Sequence, residues 1–176
     1  MKLHLGCGDR HIDGYVNIDC RYQPGVDKVD NVKMLRRYHP NSIDVIYSCA
    51  VLEHFTRWEN KDVLRRWCEL LKPGGVLRIS VPGWEELVAH YLEHKDLRVI
   101  MGMLYGGQDY KENFHCYIWD FKTMQEDLIS VGFRQVHRYD WRETEHSNID
   151  DFSQSYLPHL DKEHGKLMHL NVEAIK

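Results

Sequence analysis

Strand-like and helix-like segments alternate along this chain, and that alternation restricts its fold more than any other feature. Because parallel strands need long crossover connections, usually helices, the pattern predicts an α/β protein with a mostly parallel sheet and helices on both faces. The last predicted strand alternates apolar and polar residues, which is typical of a half-exposed antiparallel strand. The predicted strands are Lys2–Leu5, Tyr15–Asp19, Val26–Val29, Ile43–Cys49, Val76–Pro82, Phe133–Tyr139 and Leu167–Ile175.

Helical periodicity predicts three longer helices between these strands. Thr56 and Glu59 have the spacing of a capping box at the start of the first helix. The apolar spacing of the second helix predicts that Tyr91 and Leu92 face the core. The predicted helices are Arg57–Lys72, Trp84–His94 and Phe121–Val131.

Two long stretches, Gln108–Asp120 and Trp141–Asp161, fit neither pattern. Loops of this length in a compact domain are usually functional or mobile. No linker or repeat divides the 176 residues, so we predict a single domain over 1–176. The insert at 101–120 is our candidate for a lid over the pocket.

Composition and charge exclude several function classes. The chain is 43% hydrophobic and 28% charged, so it can form a folded core rather than remain disordered. It lacks an apolar run of the ~20 residues that a membrane helix needs and a signal-peptide pattern, so no membrane association is expected. A net charge of −4 without clustered Lys or Arg argues against a nucleic-acid partner. Five cysteines without a CxxC spacing predict reduced thiols and a cytoplasmic protein.

A pair of glycines directly after the first strand is the main sign of a binding site. Gly6 and Gly8 would let a ligand approach the backbone, and Asp19 ends the next strand, where a carboxylate can accept hydrogen bonds from ribose. The third glycine of a dinucleotide motif is replaced by His11, and Asp19 follows Gly6 by 13 residues rather than about 20. No P-loop lysine follows. These features favour a nucleoside cofactor without phosphates.

Four segments together resemble the S-adenosylmethionine-dependent methyltransferases with the Rossmann-like fold. They are His4-Leu-Gly-Cys-Gly-Asp continued by Asp13-Gly-Tyr-Val-Asn-Ile-Asp19, Ser42-Ile-Asp-Val-Ile-Tyr-Ser-Cys-Ala-Val-Leu-Glu-His54, Leu70-Leu-Lys-Pro-Gly-Gly-Val-Leu-Arg-Ile-Ser-Val-Pro82, and Phe121–Tyr139. The resemblance implies a seven-stranded sheet in the order 3-2-1-4-5-7-6 with strand 7 antiparallel. It also implies S-adenosyl-L-methionine as cofactor and S-adenosyl-L-homocysteine as product.

The resemblance also implies particular cofactor contacts. The first-strand bend would lie against the methionine part, Asp19 would hold the ribose, and Asn31 would meet the adenine. The implied cofactor residues are Leu5, Gly6, Cys7, Gly8, Asp19, Cys20, Asn31, Val32, Ser48, Cys49 and Ala50. The nine residues from Gly6 to Gly14 are too few for the helix that usually joins the first two strands. This departure resembles a compact subgroup associated with polysaccharide and sugar modification.

The catalytic candidates are residues that follow strands at the carboxyl edge of the sheet, where an acceptor must bind. Methyl transfer to a hydroxyl requires a group that takes its proton, and histidine or a carboxylate does this near neutral pH. We predict His115 first, then His54 and Asp109; the alternative for both histidines is a packed or backbone-bonded side chain. We predict no metal site, since His90 and His94 have a ligand-like spacing but no evident third ligand.

The main hypothesis is therefore a methyltransferase that modifies a small acceptor, with a sugar or glycan hydroxyl as the favoured class. One alternative is a regulatory module that binds the cofactor without catalysis. Another is an RNA methyltransferase, which would need a basic face around the pocket. The oligomeric state, including a homodimer, is left open.

Overall fold

The computed structural model describes all residues from 1 to 176 and contains one large sheet and one small hairpin. The sheet strands are β1 Lys2–Leu5, β2 Val16–Asp19, β3 Lys28–Val29, β4 Ile43–Cys49, β5 Leu71–Pro82, β6 Arg134–Arg138 and β9 His169–Ile175. The hairpin pairs β7 Tyr156–Leu157 with β8 Lys166–Leu167. The sheet order is β3-β2-β1-β4-β5-β9-β6.

This order confirms the predicted topology, with β9 as the seventh strand of the sheet. β9 runs antiparallel to both β5 and β6, whereas the other neighbouring strands are parallel. The expectation that this strand is half-exposed was wrong. Its polar residues His169 and Asn171 are both buried, because β9 lies between two strands and a chain segment covers its second face.

Four α-helices accompany the sheet: α1 Asn60–Leu70, α2 Trp84–His94, α3 Met101–Tyr105 and α4 Phe121–Ser130. The bounds of α2 agree with the predicted helix, and α1 is shorter than predicted. Glu59 accepts hydrogen bonds from the backbone N–H of Thr56 at 3.2 Å and from its hydroxyl at 2.8 Å. The main core lies under α1 and α4, where Trp67, Met124 and Leu128 are fully buried.

The segment after β6 packs against Tyr47 of β4 and Tyr15, which lies just before β2. Tyr15 donates to Glu145 at 2.8 Å, and Tyr47 donates to Asp151 at 2.6 Å. The ring of His146 packs on Tyr47 with centroids 4.0 Å apart. The stretch that sequence patterns left unassigned therefore closes the core.

No helix of the chain is long and apolar enough to cross a membrane. All five cysteines are free, in agreement with the predicted reduced thiols. Three of them, Cys7, Cys49 and Cys68, are buried.

Candidate functional site

The chain bends sharply after β1, at the level where β2 and β4 also end. Leu5 pairs with Ile18 of β2 on one side and with Ser48 of β4 on the other. Gly6 and Gly8 have φ angles of 67° and 54°, in the left-handed region that glycine adopts most easily. The three strand ends therefore bring the predicted cofactor residues of β1, β2 and β4 to one edge of the sheet.

The two glycines of the bend have different surroundings. A β-carbon added at Gly6 would collide with the side chain of Val51, so this glycine permits close packing inside the protein. A β-carbon added at Gly8 would meet no atom within 4 Å. Gly8 therefore leaves bare backbone facing open space, which fits the approach of a ligand.

Asp19 connects the end of β2 to this bend. Its buried carboxylate accepts hydrogen bonds from the backbone N–H of Gly8 and of Arg21, each at 2.9 Å. The Cys20 thiol lies 3.5 Å from the same carboxylate. Each carboxylate oxygen has two lone pairs, so these bonds leave capacity for ribose hydroxyls. The residue fits the role that the sequence resemblance implies.

The predicted adenine segment follows β3 at the same edge. Asn31 is exposed, and its side-chain oxygen accepts a hydrogen bond from the Lys33 N–H at 2.9 Å, which leaves that oxygen a second lone pair. Val32 is buried, and its carbonyl accepts the indole N–H of Trp67 at 2.9 Å. Trp67 thus fixes the backbone of this segment to α1.

The predicted cofactor set also includes Cys7 in the bend and Ser48, Cys49 and Ala50 at the end of β4. Ser48 is fully buried, and its hydroxyl oxygen has no hydrogen-bond partner. Burial raises the pKa of the Cys49 thiol well above its usual value. Burial, assisted by Asp19, raises the pKa of Cys7 to about 12. Both thiols stay neutral near pH 7, so they act as small packing groups. Ala50, at φ 54°, then turns the chain out of the sheet.

The insert closes over the end of β2. The guanidinium of Arg21 stacks on the ring of Tyr110, 3.6 Å from its centroid. Burial raises the pKa of Tyr110, and the carboxylates of Asp109 and Asp19 act in the same direction. The insert thus lies beside the residue predicted to hold the ribose.

His54 and His115, two of the predicted catalytic residues, meet beyond the end of β4. Their ring centroids are 4.9 Å apart. His54 Nδ1 lies 3.1 Å from the Phe114 carbonyl oxygen, and His115 Nδ1 lies 2.8 Å from that of Met103. Burial lowers the pKa of both histidines, so both are neutral near pH 7. Each ring is bonded to a backbone carbonyl, as in the alternative stated for it, and the two rings meet edge-on with an angle of 74° between their planes.

Asp109, the third predicted catalytic residue, does not join this pair. It is exposed, and its carboxylate accepts a hydrogen bond from the Asn113 amide at 2.5 Å. This contact stabilises the turn of the insert.

Glu53 is a site residue that sequence reasoning missed. Its side chain is 1% exposed, and neither carboxylate oxygen has a partner with hydrogen-bond geometry. Burial raises its pKa to about 8, and the nearby backbone N–H groups of Glu53 and Val51 offset only part of that effect. Glu53 Oε1 lies 4.0 Å from His115 Nε2. Its position beside His54 in the chain was the available signal.

Aromatic side chains line a groove beyond the end of β5. The groove has a volume of about 240 Å³ and is lined by Trp84, Tyr117, Ile118, Asp120 and Thr123. Trp84 is 46% exposed, whereas Trp119 is fully buried. Among the aromatic residues near the insert, Trp84 and Tyr117 therefore face the groove, and Trp119 packs in the core.

Comparison with known proteins agrees with this arrangement. Residues 19–79, about a third of the chain, match the protein family described as a methyltransferase domain. That range runs from Asp19 into β5 and includes Glu53 and His54. A search of curated proteins finds no significant match.

Several solved methyltransferase structures share the fold at low sequence identity. A SAM-dependent methyltransferase from Archaeoglobus fulgidus is 17% identical with a TM-score of 0.60, covering 99% of this chain and 85% of that one. One from Methanosarcina mazei is 19% identical with a TM-score of 0.59, covering 99% and 91%.

A third structure contains a bound product of the cofactor. The 1,6-didemethyltoxoflavin-N1-methyltransferase of Burkholderia thailandensis, solved with 1,6-didemethyltoxoflavin and S-adenosylhomocysteine, is 14% identical with a TM-score of 0.59, covering 99% and 70%. The chain has the Rossmann-like methyltransferase fold. Together with the family match, these similarities support a methyltransferase whose cofactor is S-adenosylmethionine.

Proposed function

We propose that this protein transfers the methyl group of S-adenosylmethionine to a hydroxyl group of a small acceptor, with a sugar or glycan as the acceptor class. The observation that carries the proposal is the position of one polar cluster. Glu53 and His54 come shortly after β4, whose end completes the predicted cofactor site, and the insert brings His115 to them. A donor site and a group that can act on a hydroxyl are therefore neighbours.

The cofactor site uses the glycine bend and the carboxylate of β2. When bound, S-adenosylmethionine supplies a methyl group already activated by its sulfonium. Gly8 offers bare backbone, and Asp19 accepts hydrogen bonds from ribose hydroxyls. The stacked pair of Tyr110 and Arg21 would border the ribose side of this site. Cofactor contacts at the remaining predicted positions, from Leu5 to Ala50, are part of this proposal.

The acceptor binds between the polar cluster and the aromatic groove. In the transfer, the bond between sulfur and methyl breaks, its electron pair stays on sulfur, and a bond from the acceptor oxygen to the methyl carbon forms. The acceptor hydroxyl loses its proton, so it needs activation. We assign this activation to the cluster of Glu53, His54 and His115. Asp109 is not assigned a catalytic role, because its carboxylate accepts a hydrogen bond from Asn113. Most of the remaining rate enhancement comes from holding the acceptor oxygen and the methyl group in line.

A sugar ring suits the groove because its C–H face is apolar and its edge carries hydroxyls. Trp84 offers an exposed indole for such a face, and Asp120 lies at the same groove for hydroxyl groups. An RNA acceptor is disfavoured because the basic residues of α1 are already paired. Arg65 bonds to Asp62 at 2.5 Å, and Arg66 donates to the carbonyls of Leu35 and Tyr38.

We place this reaction in the cytoplasm, a proposal supported by the five free cysteines.

Calorimetric titration with S-adenosylhomocysteine tests the cofactor site. The wild-type chain should bind it, and Asp19→Ala should weaken binding by about one to two powers of ten, because a hydrogen bond to a charged group is worth ~1.5–3 kcal/mol. Asp13→Ala is the matched control, since its side chain is fully exposed in the neighbouring loop. Absence of binding at high micromolar concentration, or equal effects of both substitutions, would contradict the assignment.

Incubation with S-adenosylmethionine and a panel of sugars, followed by mass spectrometry, tests the acceptor class. A methylated sugar together with S-adenosylhomocysteine is expected. Binding of S-adenosylhomocysteine without turnover on a broad panel would favour the regulatory module instead. Methylation of RNA but not of sugars would refute the proposed acceptor class.

A further inference from the structure

We propose that Glu53, His54 and His115 bind a divalent transition-metal ion of the zinc class. The site would lie beside the proposed methyl-transfer centre. The role of the ion in the reaction rests on the proposed function, but its binding does not. The sequence offered no such site, because its one ligand-like pair, His90 and His94, lacks a third ligand.

The three side chains are close enough to share one ion. One potential ligand atom from each lies within 4.8 Å of the other two. Ligand atoms on a tetrahedral zinc ion are about 3.3 Å apart, from bond lengths of about 2.0–2.1 Å. Each side chain therefore has to move by less than about 1 Å, which small rotations of the side chains can supply. Two imidazoles and one carboxylate form the ligand set of several catalytic zinc sites.

The carboxylate of Glu53 lacks a partner in the protein itself. Its side chain is 1% exposed and both oxygens are without a hydrogen bond. Without a partner this buried group is therefore mostly protonated near pH 7, whereas buried carboxylates that stay ionised are normally paired or bound to metal. A cation between Glu53 and the histidines would provide the missing partner.

The histidine rings are held as metal-binding histidines usually are. A carbonyl oxygen only accepts hydrogen bonds, so His115 Nδ1 must donate its proton to Met103, which leaves the Nε2 lone pair free. That Nε2 faces Glu53 at 4.0 Å. His54 Nδ1 donates to Phe114 in the same way. Backbone carbonyls that orient ligand histidines are a regular feature of metal sites. The Ala50 carbonyl also faces the His54 ring, so His54 is the ligand that has a competing partner.

Three protein ligands leave a fourth position on the ion for the oxygen of the acceptor. An oxygen bound to such an ion loses its proton to water at a lower pH than a free hydroxyl does. The histidines would then act as ligands rather than as proton acceptors. This arrangement deepens the proposed function, because it would fix the acceptor oxygen at a defined place.

The test uses the full chain after treatment with a chelator, titrated with Zn²⁺ by calorimetry and with Co²⁺ by visible absorption. One ion per chain should bind, and Co²⁺ should give the intense bands of tetrahedral coordination. Glu53→Gln and His115→Ala should each weaken Zn²⁺ binding by about 100-fold or more, since even residues that only orient ligands contribute 10- to 100-fold. His94→Gln, an exposed histidine outside the cluster, should leave it unchanged.

Thermal melts of each metal-free variant show that it is folded, and His115→Ala serves if Glu53→Gln does not fold. Wild-type protein that binds no Zn²⁺, or binds it as well after both cluster substitutions, overturns the proposal. Loss of binding in His94→Gln alone also overturns it. Binding of S-adenosylhomocysteine, measured on the metal-free protein, tests the proposed function separately. A chain that binds Zn²⁺ but not S-adenosylhomocysteine would retain the metal site and refute the methyltransferase.

Discussion

Replacing each glycine of the first bend by alanine separates packing from ligand binding. Both residues have positive φ angles, so an alanine at either position costs about 1–2 kcal/mol of backbone strain. At Gly6 the new methyl group also collides with Val51, and overpacking of this kind typically costs a further 1–3 kcal/mol. At Gly8 the methyl group enters open space. Gly6→Ala should therefore lower the free energy of unfolding more than Gly8→Ala.

Cofactor affinity should show the reverse order, with the larger loss in Gly8→Ala. The methyl group of Gly8→Ala occupies the space that we assign to the cofactor, so S-adenosylhomocysteine should bind at least about tenfold more weakly, equivalent to ~1.4 kcal/mol. Urea denaturation measures stability, and calorimetry measures affinity. The double variant Gly6→Ala with Val51→Ala should recover the overpacking part of the stability loss. Equal stability losses for both glycines, together with wild-type affinity in Gly8→Ala, would refute this account of the bend.

Three further substitutions test other parts of the site. Tyr110→Ala removes the ring that stacks on Arg21, and should weaken S-adenosylhomocysteine binding about two- to tenfold in calorimetry while melting temperature stays nearly constant. Trp84→Ala should raise the KM for a sugar acceptor and leave cofactor affinity unchanged, as steady-state kinetics would show. Burial lowers the pKa of His146 to about 4, so between pH 6.5 and 4 the unfolded chain binds a proton that the folded protein does not. The free energy of unfolding therefore falls as the pH decreases from 6.5 towards 4. Urea titrations should show that His146→Gln removes up to about 3 kcal/mol of that pH dependence.

The individual strands could be predicted because their signals are local, whereas their order in the sheet came from the family resemblance. Each strand is a short apolar segment with its own boundaries, and the resemblance supplies the way in which such strands are arranged. Helix faces were less predictable. Tyr91 and Leu92 were expected in the core but are 39% and 58% exposed, whereas His90 is buried. Only a narrow face of α2 is buried. It contains Leu87, which packs on Ile100 and Met168. Apolar spacing alone does not reveal which face has a neighbour.

The candidate site was predictable only where its residues are close in sequence to a strand end. Gly6, Gly8 and Asp19 follow directly from the strands that precede them. The contact of His115 with Glu53 depends on how the insert folds back, and no periodic pattern describes that path. The backbone N–H of Cys116 donates to the Glu53 carbonyl at 2.7 Å, so a main-chain hydrogen bond attaches the insert at this point. Any residue type can form such a bond, so the sequence gives no sign of it.

The insert connects the two halves of the site through one short piece of chain. Tyr110 covers the cofactor side, and His115, only five residues later, reaches the acceptor side. Between them, the Asn113 backbone donates to the Tyr110 carbonyl and its side-chain amide donates to Asp109, so two hydrogen bonds hold the turn together. We therefore expect a displacement of Tyr110 on cofactor binding to move His115 as well. We predict that binding of the cofactor and binding of Zn²⁺ at the Glu53–His54–His115 cluster are coupled. Each ligand should then change the affinity of the other by the same factor, which calorimetry of each ligand in the presence of the other would measure.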